Sequence, residues 1–107
     1  MSDLYSRHAD VCKTFSNPKR LEIIDNLRGS VELTASGLME KISIGKANLS
    51  QHMSVLIQKG VVKSRRKGIN VFYQLSDMRI TKACDIMREV LISKLEEETK
   101  VLKRLKK

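Results

Sequence analysis

Residues 43–75 read SIGKANLSQHMSVLIQKG, then VVKSRRKGINVFYQL. Leu49, Met53, Leu56 and Ile57 recur at helical spacing and predict the buried stripe of a helix over residues 46–58. Ala47, Asn48, Gln51, His52 and Val55 then lie on its other faces, and Gly60 ends it. Residues 61–66 and 71–75 read as two strands. Between them, Lys67-Gly68-Ile69-Asn70 supplies turn chemistry, since Gly68 and Asn70 both tolerate positive φ. The inward set of the return strand is either Val71, Tyr73 and Leu75 or the alternate phase through Phe72; the pattern permits both. An amphipathic helix with small polar residues at its start thus runs into a basic hairpin. The first is shaped to enter a DNA groove and the second to grip the backbone beside it.

Upstream, residues 3–15 predict a first helix with Leu4, Val11 and Phe15 on its apolar face. Asn17 is a good N-cap and Pro18 suits a first helical turn, so a second helix is expected over 18–27, ended by Gly29 and Ser30. Val31-Glu32-Leu33 is too short to read as a strand. A third helix begins at Thr34 or Ala35 and ends near Ile42, with Leu38, Met39 and Ile42 facing inward. Two short helices joined by Ser43-Ile44-Gly45 make a helix-turn-helix arrangement, whose second helix meets base edges through its N-terminal residues. Those residues are Lys46, Ala47, Asn48, Ser50, Gln51 and His52. Gln can pair with adenine through two bonds, and Ser can bond to several base edges. Ser43 is expected to cap the helix and face phosphate. Arg65, Arg66 and Lys67 at the hairpin tip are placed to reach a minor groove or its flanking phosphates. Polar residues on one helix face usually make only a solvated face; here the turn, the compact cluster and the adjoining cations argue for recognition.

Ser76 or Asp77 opens a last helix reaching about Leu105. Ile80, Cys84, Met87, Leu91, Leu95, Leu102 and Leu105 fall mostly three or four apart, with Glu98 interrupting the stripe. So small a domain cannot cover a helix this long, and the simplest partner is the same helix of a second protomer. At 107 residues there is room for one domain, 1–107. The formal net charge of +9, from 21 basic and 12 acidic residues, favours polyanionic partners. No secretory pattern opens the chain and no apolar run approaches the ~20 residues of a membrane span, so a cytoplasmic protein is expected, with Cys12 and Cys84 as reduced thiols.

Taken together, Phe15-Ser16-Asn17-Pro18-Lys19-Arg20-Leu21-Glu22-Ile23-Ile24, Asn48-Leu49-Ser50-Gln51-His52-Met53-Ser54-Val55-Leu56 and Gly60-Val61-Val62 through Arg66-Lys67-Gly68 to Phe72-Tyr73-Gln74-Leu75 make the chain resemble the ArsR/SmtB family of winged-helix repressors. The resemblance covers nearly the whole chain. It implies a mainly α fold with a small β-hairpin wing, in the order α-α-α-α-β-β-α, dimeric through the first and last helices. It also implies base contacts by Ser50, Gln51 and His52, palindromic double-stranded operators and, in many members, release by an inducer. The arsenic and cadmium sensors of the family carry a cysteine-rich motif where this chain has Glu32-Leu33-Thr34-Ala35-Ser36-Gly37, without cysteine. The zinc sensors use an Asp, two His and a carboxylate or third His on the last helix. Asp77 matches the first, but Arg79, Val90 and Ser93 occupy the others, so Asp77 reads as a helix cap.

In the family fold the first and last helices pack together, which would make Cys12 and Cys84 neighbours. A thiol switch by disulfide or polysulfide formation, or a soft metal or metalloid site with His8 as a further ligand, is the sensing chemistry such a pair offers. Cysteine as a small buried hydrophobe is the plain alternative, and no cofactor is certain. No nucleophile, base and orienting group cluster, so an enzyme is not expected. The rivals to a DNA-binding repressor are a winged-helix interaction or architectural module without an inducer and, more weakly, an RNA binder.

Overall fold

The computed structural model describes residues 3–106. Helix α1 (Leu4–Thr14) and helix α2 (Pro18–Asn26) are followed by a 3-10 turn (Arg28–Ser30), strand β1 (Leu33–Thr34), helix α3 (Ala35–Lys41), helix α4 (Lys46–Gln58), strands β2 (Val62–Lys67) and β3 (Asn70–Leu75), and helix α5 (Arg79–Leu105). The strands form one antiparallel sheet in the order β1-β3-β2.

Local chemistry explains most of these boundaries. Asn17 Oδ1 accepts from the Lys19 and Arg20 amides at 2.9 and 3.2 Å, and Pro18 occupies the first turn of α2. Thr34 Oγ1 caps α3 through the Gly37 amide at 3.1 Å. The Val61 amide bonds to the Leu56 carbonyl and the Gly60 amide to that of Ile57, with Gly60 at φ +76°. This closure needs a left-handed residue, which Gly supplies without strain, and it aims the chain from α4 into β2. Gly68, at φ +63°, does the same at the two-residue hairpin turn. Met78, not Ser76 or Asp77, is the N-cap of α5, but Asp77 steadies its start from one residue earlier: its Oδ1 accepts from the Arg79 amide at 2.8 Å. Ser76 instead turns back onto the Gly60 and Val61 carbonyls.

The core is assembled from one face of each element. Ile23, Ile24 and Leu27 of the α2 segment meet Leu38 and Ile42, the Leu49–Met53–Leu56 stripe of α4, and Val61, Val62 and Leu75. Tyr73 packs against this cluster with buried Leu75, which selects the Tyr73/Leu75 phase for β3. The two buried threonines are satisfied locally, Thr14 by the Asp10 carbonyl and Thr81 by that of Met78.

Three expectations change. The segment before α3 does form a strand, because Leu33 and Thr34 pair with Tyr73 and Phe72. That partner lies far along the chain and leaves no local signal. Ile57 is 39% exposed; it follows Leu56 by ~100° around the helix, which carries it off the stripe. Ser43 does not cap α4: Gly45 is the N-cap and no side chain bonds there. The last helix, as expected, outgrows the body. The radius of gyration is 17.2 Å, against ~13 Å for a compact chain of ~100 residues. Only the first turns of α5, at Ile80 and Cys84, reach the core. Met87, Leu91, Leu95, Leu102 and Leu105 stay exposed, as do Leu4, Tyr5 and Val11 of α1.

The contrast within α4 is measurable. Leu56→Ala should cost about 2–5 kcal/mol by emptying a fully enclosed site, whereas Ile57→Ala should cost under about 1 kcal/mol. Urea unfolding of both variants checks this; equal losses would contradict the core described above.

Candidate nucleic-acid interface

Burying Leu49, Met53 and Leu56 turns the opposite side of α4 outward. Lys46, Ala47, Asn48, Ser50 and Gln51 are exposed, and His52 is half-buried at the edge of the stripe. Because no side chain caps α4, its first amides stay free for an acceptor oxygen from outside. Ser43 is also exposed, in the turn just before. An open depression of about 470 Å³ lies on this side, lined by Arg20, Ser50, Gln51, His52, Ser54 and Val55.

Arg20 is the contributor that sequence reading missed. It reaches from α2 to donate Nε–H to His52 Nδ1 at 3.2 Å, and Nη1–H to the Thr14 carbonyl at 3.4 Å. Burial first, and the Arg20 charge second, hold the His52 imidazole below its ordinary range, so it is neutral at pH 7. The two residues lie 32 positions apart, so only the folded α2–α4 packing brings them together.

The three hairpin cations are not equivalent. Arg65 lies opposite Phe72 across the β2–β3 ladder, with its guanidinium 4.9 Å from the ring centroid. Its Nε also donates to Glu32 at 2.6 Å. Arg65 therefore ties the wing to the segment before β1. Arg66 and Lys67, nearer the turn, are exposed and form no ion pair among the described residues. Ile69 at the turn itself is 96% exposed.

The proposed sensing residues sit apart from this surface. Cys12 is an exposed free thiol on α1; Cys84 is a partly buried free thiol on α5, packed on the core. Burial pushes the Cys84 thiol up, which lowers its thiolate fraction at neutral pH. His8 is exposed on α1. Among the described residues no three His, Cys, Asp or Glu side chains gather as a metal ion would require. At the start of α5 the Arg79 side chain, backed by its backbone amide, holds the Asp77 carboxyl down at about 2. A cation thus occupies the place of a would-be ligand.

Residues 15–65 match a family described as a helix-turn-helix domain. Over 67 residues the chain is 36% identical to the transcriptional repressor SdpR of Bacillus subtilis, covering 63% of this chain and 73% of that one. It is 36% identical over 72 residues to the arsenical resistance operon repressor of Staphylococcus xylosus, covering 67% and 68%. It is 30% identical over 103 residues to the Mycobacterium tuberculosis HTH-type regulator Rv0081, covering 96% and 90%. The crystal structure of that regulator superposes with a TM-score of 0.81 over 92% of this chain and 99% of the other, at 28% identity. A helix-turn-helix followed by a basic two-stranded wing defines a DNA-binding transcriptional regulator. The chain belongs to the ArsR/SmtB-like family of winged helix-turn-helix regulators, which is not a family of enzymes. Among the described residues no helix is long and apolar enough to cross a membrane.

Glu32→Gln would release the Arg65 guanidinium and remove a negative charge beside the wing. Stability should change by under about 1 kcal/mol, as for a partly exposed ion pair. Elution from an immobilised random duplex should move to higher salt, because one more cation is available to phosphate.

Proposed function

We propose that the protein is a homodimeric repressor that reads a palindromic double-stranded operator through Ser50, Gln51 and His52. Ser43, Lys46, Ala47 and Asn48 lie toward the DNA beside them, and Arg66 and Lys67, with Arg65 behind them, hold the flanking backbone. The observation that carries this is the outward face of α4: polar, uncapped at its N-terminus and continuous through Gly60 with a basic wing. The repressor names of two relatives support the direction of control.

The second copy is supported by what one chain leaves uncovered. Ile86, Met87, Val90, Leu91, Leu95, Val101 and Leu102 are each about half exposed or more along α5, and Leu4 and Tyr5 are exposed on α1. A continuous apolar seam of this length is not tolerated by an isolated soluble chain. Two-fold pairing would cover it and would set the two α4 helices one DNA turn apart, ~34 Å. Within this reading the input acts on the same terminal helices. Cys12 and Cys84 are the thiols open to an oxidant, a reactive sulfur species or a soft metal ion, with His8 one turn from Cys12. The exposure of Cys12 supports that role, while the placement of Cys84 against the core favours packing.

Binding to the DNA upstream of the protein's own gene, titrated against salt beside a random duplex, tests the DNA reading. Retention of the upstream DNA at salt that strips the random duplex is expected. Equal weak binding to both would leave an architectural or interaction module. Gln51→Ala should lose about 1–3 kcal/mol of discrimination at one base pair, whereas Lys67→Ala should weaken all sequences alike and reduce the salt slope by about 1. Leu91→Glu should convert a sedimenting dimer to monomer and abolish operator binding. For the thiols, operator affinity of reduced and oxidised protein is compared with that of Cys12→Ser. Identical affinity in all three would remove the thiol input and leave the DNA reading standing.

A further inference from the structure

We propose that Arg20 is a positioning residue for base recognition: by donating to His52 Nδ1 it fixes that imidazole as the neutral tautomer bearing its only N–H on Nε2, so that α4 presents a hydrogen-bond donor at this position. The proposal rests on the reading of α4 as the base-contacting helix and adds what that reading lacks, the chemical sense of one contact. A neutral imidazole has one donor and one acceptor nitrogen, and a guanidinium can only donate. Whichever ring nitrogen faces Arg20 must therefore accept, and the proton goes to the other. The facing nitrogen is Nδ1, at 3.2 Å from Arg20 Nε.

The second bond, from Arg20 Nη1 to the Thr14 carbonyl at 3.4 Å, anchors the guanidinium to the end of α1. Asn17 holds the Arg20 backbone amide in the cap of α2, so the residue is fixed at its root as well. Nε2 of His52 has no partner among the described residues, yet His52 is not among buried groups left unpaired. Its Nε2 therefore remains open to solvent, at the depression shared with Gln51 and Ser54.

The consequence is specificity. A donor at Nε2 suits the acceptor edges of the major groove, the N7 of either purine, O6 of guanine and O4 of thymine. The opposite tautomer would seek the amino groups of adenine or cytosine. A protonated ring carries donors on both nitrogens and cannot accept from Arg20 at all. The charge acting on the ring is that of Arg20; the other residues around the depression, Ser50, Gln51, Ser54 and Val55, carry none. No charged side chain of α3 or β2, which also pack on α4, enters the balance. Acidification therefore breaks the pair and places two cations side by side. The Nε2–H itself survives protonation; what acidification removes is the Arg20 bond that orients the ring, and base preference falls with that orientation.

The test uses the full chain, first without DNA. Ring nitrogen shifts of His52 are followed by NMR from about pH 7.5 to about pH 5.5, a range bracketing the ordinary imidazole value, in the parent, Arg20→Lys and Arg20→Gln. The parent should show one tautomer with Nδ1 unprotonated and a midpoint below the ordinary value. Arg20→Lys keeps the charge but has a single nitrogen, which cannot hold both the Thr14 carbonyl and His52 Nδ1 as the fork does, so the ring is no longer held in one tautomer while the midpoint stays low. Arg20→Gln should also raise the midpoint. On operator DNA, Arg20→Lys should keep its affinity for random duplex and lose roughly ten-fold in preference at one base pair. The parent should lose the same preference on acidification. Ring shifts and base preference unchanged in Arg20→Lys overturn the proposal, even where the operator is bound tightly. Failure of the parent to prefer its operator is a separate result that overturns the DNA reading beneath it and is visible before any variant is made. Should either Arg20 variant melt, His52→Gln, which removes the titrating ring, must abolish the pH dependence of preference; persistence of that dependence also overturns the proposal.

Discussion

Everything that faces outward from α4 is decided by what faces inward. Leu49, Met53 and Leu56 lie on one line of a 13-residue helix and pack against α2, α3 and β2. With 3.6 residues per turn, burying that line leaves no freedom about where Gln51 or Ser54 point. The helix then ends in a closure that only a left-handed residue completes, and Gly60 hands the chain to β2 at a set angle. A core contact and a glycine thus fix the relation between reading helix and wing. A protein that must match two grooves of a rigid duplex needs this relation held to within about an ångström, and packed side chains supply it better than loops do.

The wing divides labour among its charges. Three basic residues in a row look alike in sequence, but a strand alternates its sides and sends them to different partners. Arg65 shares its face with Phe72 and meets Glu32, so much of its charge is spent inside the molecule. Arg66 and Lys67 keep theirs for the outside. The net charge of +9 already discounts pairs such as Arg28 with Asp25 and Asp85, Lys59 with Asp10, and Arg79 with Asp77, but it does not say where the unpaired cations lie. What remains is local, and locality is what distinguishes a grip from general solubility.

Sequence patterning reached far into this fold because most of its elements announce themselves locally. The Asn17-Pro18 start of α2, the bounds of α4, the hairpin turn at Gly68 and the Asp77 hold on α5 all follow from chemistry within a few residues. What stayed out of reach depends on chain segments that meet only after folding. The strand Leu33–Thr34 exists because of β3. Arg65 is tied to Glu32, and His52 accepts from Arg20, across 33 and 32 positions of chain. Ile57 was misplaced for a different reason. An apolar residue next to a stripe looks like part of it until the helical angle is counted. The elements of the interface were thus legible, whereas the electrostatic state of its side chains was not.

The connection between that interface and α5 is narrow. Ile80 and Cys84 pack on the core, and just beyond them Arg28 donates through Nη1 and Nη2 to both oxygens of Asp85 at 2.9 and 2.8 Å while also bonding Asp25. Arg88 approaches the same Asp25 at 3.9 Å. The Arg28 hydrogen bond holds Asp85 below the usual carboxylate range. Exposed pairs of this kind add little to stability, but a two-pronged guanidinium–carboxylate bond has a preferred plane and resists rotation. It joins the 3-10 turn that follows α2, the helix that carries Arg20, to the early turns of α5. A signal received along α5 can alter DNA reading only if it favours one arrangement of that junction over another, since a ligand shifts an equilibrium by no more than its difference in affinity for the two states. The thiol of Cys84 lies within this junction, one residue from Asp85, whereas that of Cys12 is exposed on the other terminal helix.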